Sequence, residues 1–175
     1  GYEHWAKIHN LKQAAKTMNF LTENKIEQYA DLVSRIEEVT AESEQTADAL
    51  KSVEKRLADM AVLMKHVTTY QKTKPVYEAY RRAKDKDAYR AKQESSLILH
   101  EAAVKTLKAA GVTKLPNLAA MQEEYGKLQA QKEALYADYG KLKKQVKEYD
   151  VIKQNIDNIL RQGKEPERKK GKERE

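Results

Sequence analysis

The chain has no cysteine, which rules out disulfides and thiol chemistry and fits a reducing cytoplasm. Bulky apolar side chains are scarce: aromatics make up 7% of the residues, and beside ten tyrosines there are one Trp and one Phe. That is too little for a thick globular core, but it is enough for helix-on-helix seams, where each segment buries one apolar stripe. Only three prolines and six glycines punctuate 175 residues. No apolar run approaches the roughly 20 residues of a membrane span, and no secretory signal is present. The sequence begins Gly-Tyr without a methionine and is expected to be a piece of a longer protein.

Charge and period fill the space these absences leave. Charged residues are 35% of the chain and the net charge is +7. The excess is confined to two places. Lys74 to Lys92 (KPVYEAYRRAKDKDAYRAK) holds seven positive and three negative residues, and Arg161 to Glu175 holds seven and four. The composition, rich in Ala, Lys, Glu, Leu and Gln, is that of long helices and coiled coils. From Tyr29 the residues Leu32, Ile36, Val39, Ser43, Thr46, Leu50, Val53, Leu57, Met60, Met64 and Val67 step by threes and fours. This is the seam of a left-handed coiled coil with a polar weak point at Ser43 and Thr46. A second stripe runs through Leu118, Met121, Tyr125, Leu128, Lys132, Leu135, Tyr139, Leu142, Val146 and Tyr149. After Tyr149 it slips by one residue and continues through Ile152, Ile156, Ile159 and Leu160.

The expected fold is all-α: an antiparallel helical hairpin or coiled coil, elongated, with a short helix at its base and a small helical lobe at its tip. The first helix spans 1–22 and shows the face Trp5, Ile8, Leu11, Ala15 and Met18. Asn24 is placed to cap the next helix, a long heptad segment over 26–71. Pro75 marks a boundary, since the residue before a proline resists the α conformation, and the lobe covers 74–111. Within it VYEAYRRA forms a short helix, KDKD turns the chain, and SSLILHEAAVKTLKAAG forms another helix ended by Gly111. Asn117 caps the last helix, 117–161, and 162–175 is a charged, disordered tail. Intermolecular pairing of the same seams is the competing solution.

No catalytic constellation emerges. HEAAV at His100–Val104 has valine where a helical zinc protease needs its second histidine. His4 and His9 are five apart and share no helix face, and no glutamate precedes a histidine by three. Asp85 and Asp87 open like a calcium loop, but Tyr89 takes the next ligand position. His66 and His100 read as surface or half-buried helix residues. No Gly-rich phosphate loop, metal site or cofactor motif is found, so the chain reads as non-enzymatic. Binding is the remaining class. Phosphate neutralisation needs clustered cations, and tyrosines stack on unpaired bases. Lys74, Arg81, Arg82, Lys84, Lys86, Arg90 and Lys92 supply the first, and Tyr77 and Tyr80 the second, although those tyrosines are also spaced to fill the lobe's own small core. YGKL occurs at Tyr125–Leu128 and again at Tyr139–Leu142, two heptads apart. Gly126 and Gly140 therefore share a face beside the seam, either for a partner's backbone or as tolerated exposed glycines.

Three long stretches, YEHWAKIHNLKQAAKTMNFLTENKIEQYADL, LADMAVLMKHVTTYQKTKPVYEAYRRAKDKDAYRAKQESSLILHEAA and YDVIKQNIDNIL, resemble the C-terminal helical region of relaxases, the mobilisation nucleases of conjugative transposons in Gram-positive bacteria. The similarity is extended over the chain to about Leu160. The nuclease domain of such proteins nicks DNA with a tyrosine and a histidine-bound metal. Nothing here matches that domain, so no catalytic residue is carried over. The resemblance implies a module that grips DNA beside the nick, docks on accessory or coupling proteins of the transfer machinery, or serves as a homodimerisation arm. A structural coiled-coil spacer without DNA contact is the alternative.

Overall fold

The heptad stripes fold as helices. A computed structural model describes the backbone of residues 2–172 and the side chains of residues 10–162. In chain order it contains α1 (Tyr2–Glu23), α2 (Tyr29–Arg82), α3 (Lys86–Lys92), α4 (Glu94–Ala109) and α5 (Leu118–Lys172). Among the described residues there is no strand, and no helix is long and apolar enough to cross a membrane. The contacts divide the chain into two units, one made of Gly1–Asp48 with Tyr136–Glu175, the other of Ala49–Leu135. In each, α2 runs antiparallel to α5, as a helical hairpin requires.

In the first unit the start of α2 meets the later part of α5. Leu32, Ile26, Tyr149 and Ile152 form its buried cluster, with Phe20, Leu21 and Ile36 packed against it. The Phe20 ring meets Tyr149 edge-on at 5.1 Å. The face of α1 turned inward is Thr17, Phe20 and Leu21, a correction to the expected Leu11–Ala15–Met18 stripe. Leu11 and Met18 are 70% and 62% exposed, because the Phe20–Tyr149 contact and the bond from Asn155 Nδ2 to Thr17 Oγ1 at 3.2 Å fix the rotation of α1. Trp5 and Ile8 have side chains outside the described residues. Ile159 and Leu160 are exposed too, so the seam stops near Ile156. The polar weak point is visible as a polar groove in which Glu42, Gln45 and Thr46 face Asp138, Lys141 and Gln145.

α1 ends in a Schellman turn. Ile26 N–H reaches back to the Leu21 carbonyl (2.9 Å), and Lys25 N–H to that of Thr22 (3.2 Å). Lys25 carries the positive φ of 55° that such a turn demands. Asn24 donates its side-chain amide to the Phe20 carbonyl. It therefore closes α1 and does not open α2.

In the second unit Val53 and Leu57 of α2 bury against Leu128 of α5, and Val67 meets Met121 and Leu107. Ion pairs flank this seam: Arg56–Glu124 at 3.1 Å and Lys132–Glu54 at 3.9 Å. The latter explains how a lysine occupies a seam position. α4 ends in a second Schellman turn, with Gly111 at φ +76° and Val112 N–H bonded to the Leu107 carbonyl. Asn117 Oδ1 accepts the backbone N–H of Ala119 and caps α5.

Two expected boundaries are absent. α2 passes through Pro75 to Arg82, so VYEAYRRA is its last part and not a separate helix. A proline inside a helix costs about 3 kcal/mol. Here α2 is clasped on both sides of it, since Tyr70 and Tyr77, two turns apart, both stack on His100 of α4. At the other end the backbone of α5 runs on to Lys172. The expected disordered tail thus begins as a continuation of the helix, in a stretch rich in the good helix formers Glu, Lys and Arg. Its charged side chains beyond residue 162 lie outside the described residues.

Candidate functional site

The basic lobe is built from the end of α2, the short α3 and the outer face of α4. The chain leaves α2 at Ala83, and Asp85 starts α3 by accepting the Ala88 N–H at 3.1 Å. Arg81 and Arg82 fall in the last turn of α2, and Arg90 and Lys92 in that of α3. Cations there face the negative end of the helix dipole and stabilise it.

The structure separates the predicted binding residues into two sets. Lys74, Arg81, Arg82, Lys84, Lys86 and Lys92 are exposed, and none of them is in an ion pair among the described residues. Arg90 is engaged. Its Nη2 donates to both Glu101 oxygens at 3.1 Å, and its guanidinium lies 5.7 Å from the centre of the Tyr80 ring. Tyr80 and Glu101 hold the Arg90 guanidinium still more firmly protonated than usual. Tyr77 and Tyr80 are engaged as well, in a row of rings. Tyr70 stacks on His100 at 5.0 Å and His100 on Tyr77 at 4.6 Å, while Tyr77–Tyr80 and Tyr80–Tyr89 are each 6.4 Å apart. These tyrosines are half-buried, packed against one another and against the buried His100.

His100 is the residue that sequence reasoning underrated. It is 3% exposed. Its Nδ1 lies 2.9 Å from Thr73 Oγ1, which sits 2.7 Å from the Thr69 carbonyl. A carbonyl only accepts, so the hydroxyl proton goes to Thr69 and Thr73 Oγ1 accepts from Nδ1–H. The other ring nitrogen, Nε2, is left with a free lone pair. Burial pushes the His100 pKa down, opposed by the nearby Glu101 carboxylate, and the ring is neutral at pH 7. The signal for this placement was present: Leu97, His100, Ala103 and Leu107, all buried, recur at threes and fours along α4.

His100 lies in the wall of a cleft of about 710 Å³ between the end of α2 and α4. Lys74, Arg81, Lys105 and Lys108 bring positive charge to it, and Glu78 and Glu101 negative charge. Val104, Leu107, Val112 and Leu115 make its apolar side. Among the described residues no three His, Asp or Glu converge as a metal site. Gly126 and Gly140 open onto free space: a Cβ on either would meet nothing within 4 Å among the described residues outside its own turn of helix. Comparison with family models, with curated proteins and with solved structures returned no match.

Proposed function

We propose that this chain is a non-catalytic helical module of a relaxase-type mobilisation protein, and that its basic lobe contacts DNA. The observation that carries the reading is the set of six exposed cations, Lys74, Arg81, Arg82, Lys84, Lys86 and Lys92, with no carboxylate partner among the described residues. Unpaired surface cations in one cluster release counterions when they meet phosphates, and that release is the main source of sequence-independent affinity. The extended resemblance of the sequence to relaxase C-terminal regions supports the choice of DNA as the polyanion. In this reading the module works in the cytoplasm and holds DNA near a nuclease domain carried elsewhere, with accessory or coupling proteins as further partners.

A structural spacer without DNA contact is the second reading. It is favoured by Arg90, Tyr77 and Tyr80 being used inside the lobe, and by the position of Arg81 and Arg82 at a helix end that cations stabilise in any case. A homodimer through the heptad seams is disfavoured, because those seams are already buried within each unit.

Fluorescence anisotropy with labelled single-stranded and duplex oligonucleotides over a salt series separates the two readings. The DNA reading expects binding that weakens steeply with salt and is lost on Arg82/Lys84/Lys86→Glu. A spacer shows no binding even at low salt.

A further inference from the structure

The cleft between α2 and α4 combines features that the surface cations do not explain. One is a polar side chain buried to 3% exposure whose second nitrogen has no protein partner. The buried polar atoms of the described side chains all have partners, so Nε2 keeps contact with solvent, and the cleft that His100 lines is where it does so. A neutral Nε2 only accepts, and therefore selects a ligand group that carries a proton to share. A second feature is the four cations around it, Lys74, Arg81, Lys105 and Lys108, which outnumber the two carboxylates of the cleft, Glu78 and Glu101, and favour a negative group on the same ligand. A third is the apolar side, Val104, Leu107, Val112 and Leu115, which suits a flat, poorly hydrated body. The volume of about 710 Å³ lies within the range of small-molecule sites.

Inorganic phosphate satisfies the cations, and as hydrogen phosphate it can offer Nε2 an O–H, but it has nothing for the apolar side. A nucleotide meets all three demands. Its base offers an amino or imino N–H and an apolar face, and its phosphate reaches the lysines and arginine. We infer that the cleft is a nucleotide-binding site, in which His100 Nε2 accepts a hydrogen bond from the base while Lys74, Arg81, Lys105 and Lys108 hold the phosphate. This deepens the reading of the lobe as a DNA contact and rests on it for the choice of ligand class: one unpaired nucleotide of a strand would enter the cleft while the neighbouring phosphates lie on the outer cations.

The test is a titration of the whole chain, with its histidines labelled with ¹⁵N, by each of the four deoxynucleoside monophosphates and by inorganic phosphate. The His100 Nε2 resonance is the readout. At least one monophosphate should shift it saturably, and inorganic phosphate should do so only at far higher concentration. Lys105→Glu/Lys108→Glu, on the exposed side of α4, should weaken that binding about tenfold or more. His100→Phe, which keeps the stacked ring and is followed by titration calorimetry because it has no Nε2, should weaken it by about tenfold as well, the loss of one buried hydrogen bond. No shift with any monophosphate at millimolar concentration overturns the inference, as does equal binding of inorganic phosphate. Arg82, Lys84 and Lys86 do not line the cleft, so their Glu variant separates the two readings. Oligonucleotide binding without a nucleotide response at Nε2 removes the cleft and leaves the surface reading. A nucleotide response without oligonucleotide binding keeps the cleft and removes the DNA reading.

Discussion

Thr73 Oγ1 on α2 lies 2.9 Å from His100 Nδ1 on α4, and this contact fixes the tautomer of a buried imidazole beneath a basic surface. It also gives the fold a pH dependence. Burial lowers the His100 pKa in the folded chain, with Glu101 opposing and Lys74, Arg81 and Lys105 in the same cleft. The unfolded histidine, near 6.5, binds a proton that the folded ring refuses. Stability is therefore fully present above that value and declines as the pH falls below it, until the folded ring also takes a proton. Urea unfolding midpoints at pH 7.5 and 5.5 measure this. The drop should be smaller in His100→Phe. An equal drop in both would show that His100 is not its source.

Lys25 and Gly111 hold equivalent left-handed positions in the two Schellman turns, but only one of them is a glycine. An L-residue with a Cβ loses about 1–2 kcal/mol there. Part of that is offset because glycine loses more conformational freedom on folding. Lys25→Gly should thus stabilise the chain by about 0.5–1 kcal/mol, and Gly111→Ala should destabilise it by about 1 kcal/mol. Thermal or urea unfolding of the two variants reads opposite signs if both turns are as described.

Gly126 and Gly140 lie in α5 where added methyl groups would touch nothing beyond their own helix among the described residues. Each replacement by alanine should raise stability by about 1 kcal/mol through helix propensity alone. If a partner's backbone approaches this face, the same substitutions weaken that association while still stabilising the monomer. Sedimentation equilibrium of the double variant alongside its unfolding curve distinguishes the two outcomes.

The ion pair of Arg90 with Glu101 withholds one cation from the lobe surface. Glu101→Gln removes the charge that holds it. In the DNA-contact reading, oligonucleotide affinity rises at low salt and the slope of log K against log salt steepens by about 0.7–0.9, one more phosphate neutralised. An unchanged slope would mean that Arg90 stays on Tyr80 and lies outside the contact.

The sequence alone determined the helical class and the apolar stripes of the long helices, because strict apolar recurrence at threes and fours leaves a helix one face to bury; pairing of the stripes within one chain was one of two solutions it allowed. Val67 meets Met121, and Val53 and Leu57 meet Leu128, as antiparallel stripes require. Local boundary signals were legible where backbone geometry demands them, at Gly111, which ends α4, and at Asn117, which starts α5. The tertiary structure decided what depends on neighbours distant in sequence. α2 continues through Pro75 because His100, from another helix, packs against rings on both sides of it. α1 turns Thr17 and Phe20 inward, away from its Leu11–Met18 stripe, because Tyr149 and Asn155 receive them. The same holds at the candidate site. A run of cations is visible in one dimension, but which of them are spent depends on where the carboxylates fall in space. Glu101 takes Arg90 and leaves Arg81, Arg82, Lys84 and Lys86 exposed. The cleft has no linear signature, since His100 gains its meaning only when Thr73 takes one ring nitrogen and leaves the other open.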